Sequence, residues 1–289
     1  MENVNIGVIG GSGLYQMAGL MNVEEVEIDT PFGKPSDTIT VGTLYDQKIA
    51  FVPRHGRGHF LTPSDVPYNA NIYALKTLGV KYLLSISACG SLKEEFAPGH
   101  IVIPDQIVDF TKGKRINSFF RKGLVAHVGV ADPFSAELSN AMAKYVAEAG
   151  GTVHKGATFI TIEGPRFSTR GESNLFRQWG MGIIGMTASP EAYLAREAEM
   201  AYACMAHVTD YDVWHESEDP VTVEMVIKIL QQNTTVAQEA IRLMVQAYDS
   251  WASEMTAHTA LKDALITDPA KIPPQLLEDL NPIVGKYYA

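Results

Sequence analysis

The sequence predicts an α/β fold on three observations. Apolar runs of strand length recur along the chain, amphipathic stretches of helical period lie between them, and capping residues and glycine-rich turns mark the junctions. The first run, residues 4–9, reads as a buried strand entering the turn Gly10-Gly11-Ser12-Gly13. Strands are expected at 23–28, 38–44 and 48–52. Ser64 as N-cap and Pro67 in the first turn open a helix with Ile72, Leu75 and Leu78 on one face and Gly79 at its end. A further apolar strand covers 82–87. Helices are expected at 135–149, 169–179 and 190–200, interleaved with strands at 159–162, 183–186 and 202–208. From 221 to about 254 the pattern is one long, interrupted amphipathic helix. Beyond Thr256, short helical pieces are separated by Pro269, Pro273, Pro274 and Pro282. No internal repeat, low-complexity tract or linker divides the chain.

An apolar fraction of 46% over 289 residues is enough for one large core or two closely joined halves. Lys plus Arg number 23 against 33 for Asp plus Glu, and the formal charge of −10 opposes non-specific attraction to nucleic acid or anionic lipid. An anionic ligand must therefore be held by local groups. No run of about 18 uninterrupted apolar residues is present and no signal-peptide pattern opens the sequence, so a cytoplasmic protein without a membrane span is expected. Cys89 and Cys204 both sit in apolar stretches, which reads as buried free thiols without a disulfide.

Four segments carry chemistry. In the turn after the first strand, three glycines let backbone amides approach an anion and Ser12 adds a hydroxyl; a tight structural turn is the plainer alternative. A dinucleotide site is disfavoured because the third glycine of G-x-G-x-x-G is replaced by Gln16. Arg54, His55, Arg57 and His59 then share a glycine-spaced loop just past a strand. A guanidinium offers a planar fork of donors to phosphate and a neighbouring imidazole adds another, against the alternative of a solvated basic loop. A metal on His55 and His59 is disfavoured, since the segment is not helical and no third ligand is evident. Ser87-Ala88-Cys89-Gly90-Ser91 places small donors at the next strand end, where an apolar setting argues against Cys89 as a nucleophile. Last, Asp210 and Asp212 close the strand at 202–208. In an extended backbone they point the same way and converge on one planar ligand edge, while a surface acidic pair or a magnesium site remain alternatives.

GVIGGSG, PRHGRGH, SACGS, TIEGPRFSTR, MTASPE and TDYDVW together resemble the methylthioadenosine phosphorylase branch of the trimeric purine nucleoside phosphorylase family, in order from Asn5 to about Glu254. The resemblance implies an α/β nucleoside phosphorylase fold: a single domain over 1–289 with a mixed, partly barrel-like central sheet flanked by helices. A C-terminal extension begins at about 256, and the segment after about Leu265 departs from the family pattern. It further implies a homotrimer with active sites near subunit interfaces, binding a nucleoside and phosphate, with inorganic phosphate as co-substrate and no metal or organic cofactor. Ser12, Arg54, His55, Ser87, Ala88 and Thr187 would surround the phosphate. Phe167 would stack on the base with Ser168 as a further contact, Met186 would lie under the ribose, and Asp210 and Asp212 would bind the purine's N7 and amino edge. Val223 and Val226 would face the 5′ substituent with His127 nearby; ordinary helix core and a structural histidine are the alternatives.

The expected reaction follows. As the bond from C1′ to the base weakens, the sugar gains oxocarbenium character and the base gains negative charge, which Asp210 relieves as catalytic acid toward N7. Phosphate on the opposite face stabilises the cation and attacks with inversion. A carboxylate facing position 6 favours a 6-amino purine, and an apolar pair at the 5′ end suits a methylthio group. The expected products are therefore adenine and 5-methylthioribose 1-phosphate from 5′-methylthioadenosine. A phosphorylase of the same family acting on inosine, guanosine or methylthioinosine is the nearest competitor. A dinucleotide-dependent oxidoreductase using Asp29, or a non-catalytic nucleotide-binding module, is a more distant one.

Overall fold

The computed structural model describes residues 4–11, 13–14, 16–113, 115–215 and 223–288, with the side chains of 223–233 outside the description. A mixed sheet of eleven strands forms its centre. β1 (Ile6–Gly10) is buried along its whole length and pairs in parallel with β4 (Gln47–Pro53) on one side and β5 (Tyr82–Ser91) on the other. β2 (Met21–Val26) and β3 (Ile39–Leu44) extend the β4 edge as an antiparallel meander. β5 is the branch point. Its last residues pair antiparallel with β10 (Ile183–Gly185), which leads to β9 (Thr158–Ile162) and β7 (Gln106–Phe110), while its other edge carries β11 (Ala201–Asp210) in parallel. β11 then pairs with β6 (Ile101–Ile103), and β6 with β8 (Val153–Lys155).

Both faces of the central strands are covered, so β5 and β11 read as continuous apolar runs rather than alternating ones. Along β11, Ala203 and Met205 face a core beneath α2 (Ala136–Glu148) and α5 (Val223–Gln246), while Tyr202, Cys204, Ala206 and Val208 face the other core with α1 (Tyr68–Thr77) and α4 (Ala188–Glu197). Ser135 caps α2 by accepting from the Leu138 N–H. Thr169 caps α3 (Arg170–Gln178) in a reciprocal box with Glu172, a device worth about 1 kcal/mol. α6 (Tyr248–Trp251) continues α5 after a break at Ala247, as the interrupted pattern predicts. In the tail, Pro273 and Pro274 open α7 (Pro274–Asp279) and Pro282 sits in the first turn of α8 (Asn281–Tyr288), where a missing N–H costs nothing. The tail packs on its own chain: Tyr73 donates to the Asp279 carbonyl at 2.7 Å, and Lys286 and Tyr287 both reach Glu199 at 2.6 Å.

Three expectations are corrected. Ser64 does not cap α1, which starts after Pro67; its hydroxyl donates to Glu163 instead. β5 does not end at Ser87 but runs through Ser91, because β11 and β10 supply pairing for the added residues. β6, β7 and β8 are strands that the sequence reading did not separate, three to five residues long and without a strong pattern of their own. Among the described residues no helix is long and apolar enough to cross a membrane.

Candidate active site

A cavity of about 770 Å³ opens where the parallel strands β1, β4, β5 and β11 end, the position at which open α/β sheets gather ligands. One end is built from the turn after β1, the loop after β4 and the middle of β5. Gly10 packs closely here: a Cβ would sit 2.6 Å from Leu14 Cδ1 and 3.1 Å from the Cβ and carbonyl oxygen of Ile86, so a side chain would force its neighbours to shift. Ser12 lies outside the described residues. Gln238 of α5 donates to the Gly13 carbonyl at 2.9 Å and ties the helix to this turn.

Arg54 lines this end but does not offer a free fork. It is 3% exposed, and Nε and Nη2 bind both oxygens of Glu191 at 2.7 and 2.9 Å. Nη2 also donates to Ser85 Oγ at 2.7 Å, with Ile9 O at 3.3 Å, and Nη1 donates to Ile86 O at 2.9 Å. The planar geometry expected for phosphate is taken up by Glu191. His55 beside it has Nδ1 2.9 Å from the Leu61 carbonyl, a geometry that assigns the proton to Nδ1 in the neutral ring. Burial, then the Arg54 charge, pushes its pKa down to about 4, so the ring is neutral at pH 7 with Nε2 as acceptor. Its ring stacks on His59 at 4.3 Å. Ser87 and Thr187, both buried, bring their hydroxyl oxygens to 2.9 Å of each other, with Ala88 alongside in the cavity wall. The end thus brings the Ser87 and Thr187 hydroxyls and the Arg54 guanidinium to one wall of the cavity, donors of the kind an oxyanion accepts from.

The other end is acidic. Asp210, the last residue of β11 and 8% exposed, accepts from Thr209 Oγ1 on Oδ2 at 2.6 Å and from the Asp212 N–H on Oδ1 at 2.8 Å. Burial outweighs these bonds and pushes its pKa up to about 6, with the Asp212 charge adding to the rise. Both carboxylates line the cavity, but not through extended pairing. The register shifts between Val208 and Asp210, and Asp212 takes a left-handed φ of 50°, so a turn brings the two together. Ser168 Oγ lies 2.7 Å from each oxygen of Asp212. Phe167, 43% exposed, forms the rim, and Met186 lies in the wall between the two ends.

Cys89 also faces the cavity, yet burial pushes its thiol well above the ordinary range, against a nucleophilic role. Among the described residues no group of three or more His, Cys, Asp or Glu is arranged to hold a metal ion. Val223 and Val226 open α5, the helix whose Thr234 and Gln238 line the cavity, but their side chains lie outside the described residues. His127 does not line the cavity of its own chain. It is exposed, and its N–H donates to the Ala264 carbonyl at 2.9 Å, beside the bridge between Ala126 and Leu265.

Two buried groups were not singled out from sequence. One is Glu191. The other is Arg115, whose Nη1 donates to the carbonyls of Met186 and Ser189 at 2.7 and 2.8 Å and whose Nε and Nη2 hold Glu163 at 3.1 and 3.0 Å. It staples the segment carrying Met186 and Thr187 to the one leading into Phe167 and Ser168. A buried salt bridge leaves no periodic signal in the sequence.

Comparison with known proteins matches residues 5–246 to the model of the phosphorylase superfamily. The chain is 53% identical over 289 residues, all of both chains, to the S-methyl-5′-thioadenosine phosphorylase of Chloroflexus aurantiacus. It is 52% identical to that of Geobacter sulfurreducens, over 99% of this chain and all of that one. A crystal structure of a methylthioadenosine phosphorylase from an antarctic soil metagenomic library superposes with a TM-score of 0.94 at 47% identity, covering 98% of this chain and 99% of that one. The methylthioadenosine phosphorylase from Schistosoma mansoni in complex with adenine superposes at 0.81 with 36% identity over 90% and 96% of the two chains. Matched by that model over most of its length and 53% identical to such a relative from end to end, this chain belongs to the phosphorylase superfamily.

Proposed function

We propose that this protein catalyses phosphorolysis of 5′-methylthioadenosine to adenine and 5-methylthioribose 1-phosphate. One observation carries the reading: a single cavity holds a buried carboxyl whose pKa is raised to about 6 at one end and a hydroxyl-lined oxyanion end at the other. A nucleoside laid between them presents its base to Asp210 and Asp212 and the opposite face of C1′ to phosphate. The names of the relatives at about half identity over the full chain support the same substrate.

The residues then divide the work. Asp212, with the Ser168 hydroxyl on it, accepts from the exocyclic amino group of adenine. Asp210, protonated, donates to N7 as the C1′–N9 bonding pair passes to the purine. Phe167 covers the base and Met186 the sugar. Phosphate, held by Ser12, Ser87, Thr187, Arg54, His55 and the backbone around Ala88, faces the developing cation and forms the new bond to C1′ with inversion. Its oxygens supply the nucleophile, so these steps are complete without a metal or organic cofactor. Val223 and Val226 accommodate the methylthio group. A homotrimer in which His127 approaches a neighbour's 5′ pocket accounts for a histidine that is exposed and away from its own cavity.

Phosphorus NMR of a mixture of protein, phosphate and 5′-methylthioadenosine tests the reaction. The expected result is a phosphomonoester signal growing one for one with free adenine. Adenine without that signal means hydrolysis, and the phosphorolytic reading is then wrong.

A further inference from the structure

The geometry points to Glu191 as the positioning residue of the phosphate site, acting through Arg54 and not touching phosphate itself. This rests on the reading of that end of the cavity as the phosphate site. Glu191 is fully buried in the first turn of α4. Its carboxylate receives four donors. Arg54 Nε reaches Oε2 at 2.7 Å, while Arg54 Nη2, Ser85 Oγ and Tyr202 Oη reach Oε1 at 2.9, 2.8 and 2.8 Å. Glu191 does not line the cavity, whereas Arg54 does.

The arrangement fixes what Arg54 can offer. Of its five N–H groups, the one on Nε, one on Nη1 and both on Nη2 have acceptors within the protein, which leaves a single Nη1–H for an anion. A guanidinium that bound phosphate by its fork would be oriented by phosphate on arrival. This one is oriented beforehand, and its charge is balanced by a buried carboxylate. The phosphate site therefore depends on Glu191 for the direction of one donor, while the hydroxyls of Ser87 and Thr187 complete the contacts. Tyr202 extends the chain of dependence: it lies 1% exposed in the core, does not line the cavity, and donates to Glu191 Oε1 at 2.8 Å beside Ser85.

The test measures phosphate binding by calorimetry, without nucleoside, and steady-state KM for both substrates, in wild type, Glu191→Gln and Tyr202→Phe. The amide keeps the size of Glu191 but puts an N–H against the guanidinium. In Glu191→Gln, phosphate Kd and phosphate KM rise on the order of 10- to 100-fold while nucleoside KM stays within about threefold, the cost of a misaimed contact. Tyr202→Phe shifts the same two phosphate constants in the same direction by a few-fold, so the inference stays testable if Glu191→Gln does not fold. Equal changes in both KM values, unchanged phosphate constants in Tyr202→Phe, or tighter phosphate binding once the carboxylate is gone would each overturn the inference. If wild type binds phosphate but releases no base from any nucleoside, the proposed reaction fails while the calorimetric comparison still decides the role of Glu191.

Discussion

The backbone N–H of Asp212 donates to Oδ1 of Asp210 at 2.8 Å, so the turn that aims the second carboxylate also steadies the first. The two acids share one backbone device yet differ in setting. Asp210 is buried at the strand end with a raised pKa, while Asp212 is half-buried and held by Ser168. Such a separation of environments is how one site obtains an acid and an anchoring carboxylate from the same side-chain type.

Replacing Asp210 by Asn removes the proton donor and leaves the shape. kcat is expected to fall by about 10²- to 10⁴-fold with nucleoside KM little changed. In wild type, kcat/KM should decline as pH rises past about 6, and that basic limb should be missing from Asp210→Asn.

The same group predicts a stability profile. The folded pKa of about 6 lies above the ordinary 3.8, so the folded state holds a proton that the unfolded state releases across this window. Stability from this group is fully present below about pH 4 and is lost as pH rises to about 6, by on the order of 3 kcal/mol. Denaturant titrations of wild type and Asp210→Asn should therefore diverge across that window and run parallel above it.

Asp212→Asn offers an amide donor where a carboxylate accepted. The ratio of kcat/KM for adenosine over inosine should drop by about 10²-fold or more, since an unmatched buried polar pair is what discriminates. A ratio that stays put would remove Asp212 from base selection.

Gly90→Ala probes how tightly the acids are held. A Cβ at this position meets Asp210 Oδ1 at 2.9 Å, Ile184 Cγ2 at 3.1 Å and Asp212 Cβ at 3.3 Å. Displacing the carboxylates by a few tenths of an ångström should lower kcat/KM at least tenfold, a larger effect than any loss in melting temperature suggests.

Much of this fold is legible in the sequence because period and punctuation agree. The apolar run of β1 and the helices that begin near Ser135 and Thr169 have local causes. The length of β5 is not local: residues 88–91 are strand because β11 and β10 lie beside them. The site divides in the same way. Arg54, His55, Thr187, Asp210 and Asp212 stand at strand ends or beside them, where chemistry is expected, Ser87 lies within β5, and the cavity gathers all six. What Arg54 binds is invisible in sequence, since Glu191 lies 137 residues further on. The convergence of Asp210 and Asp212 is reached by a left-handed residue and a register shift rather than by strand alternation.

Initial rates of base release from 5′-methylthioadenosine, adenosine and inosine in parallel, with and without phosphate, on chelator-treated protein test the phosphorolysis proposed for this site. Adenine release from 5′-methylthioadenosine is expected to be fastest, to need phosphate and to be unaffected by the chelator. Faster release from inosine would contradict the roles given to Asp210, Asp212, Val223 and Val226, and release that ignores phosphate would contradict the phosphorolytic mechanism itself.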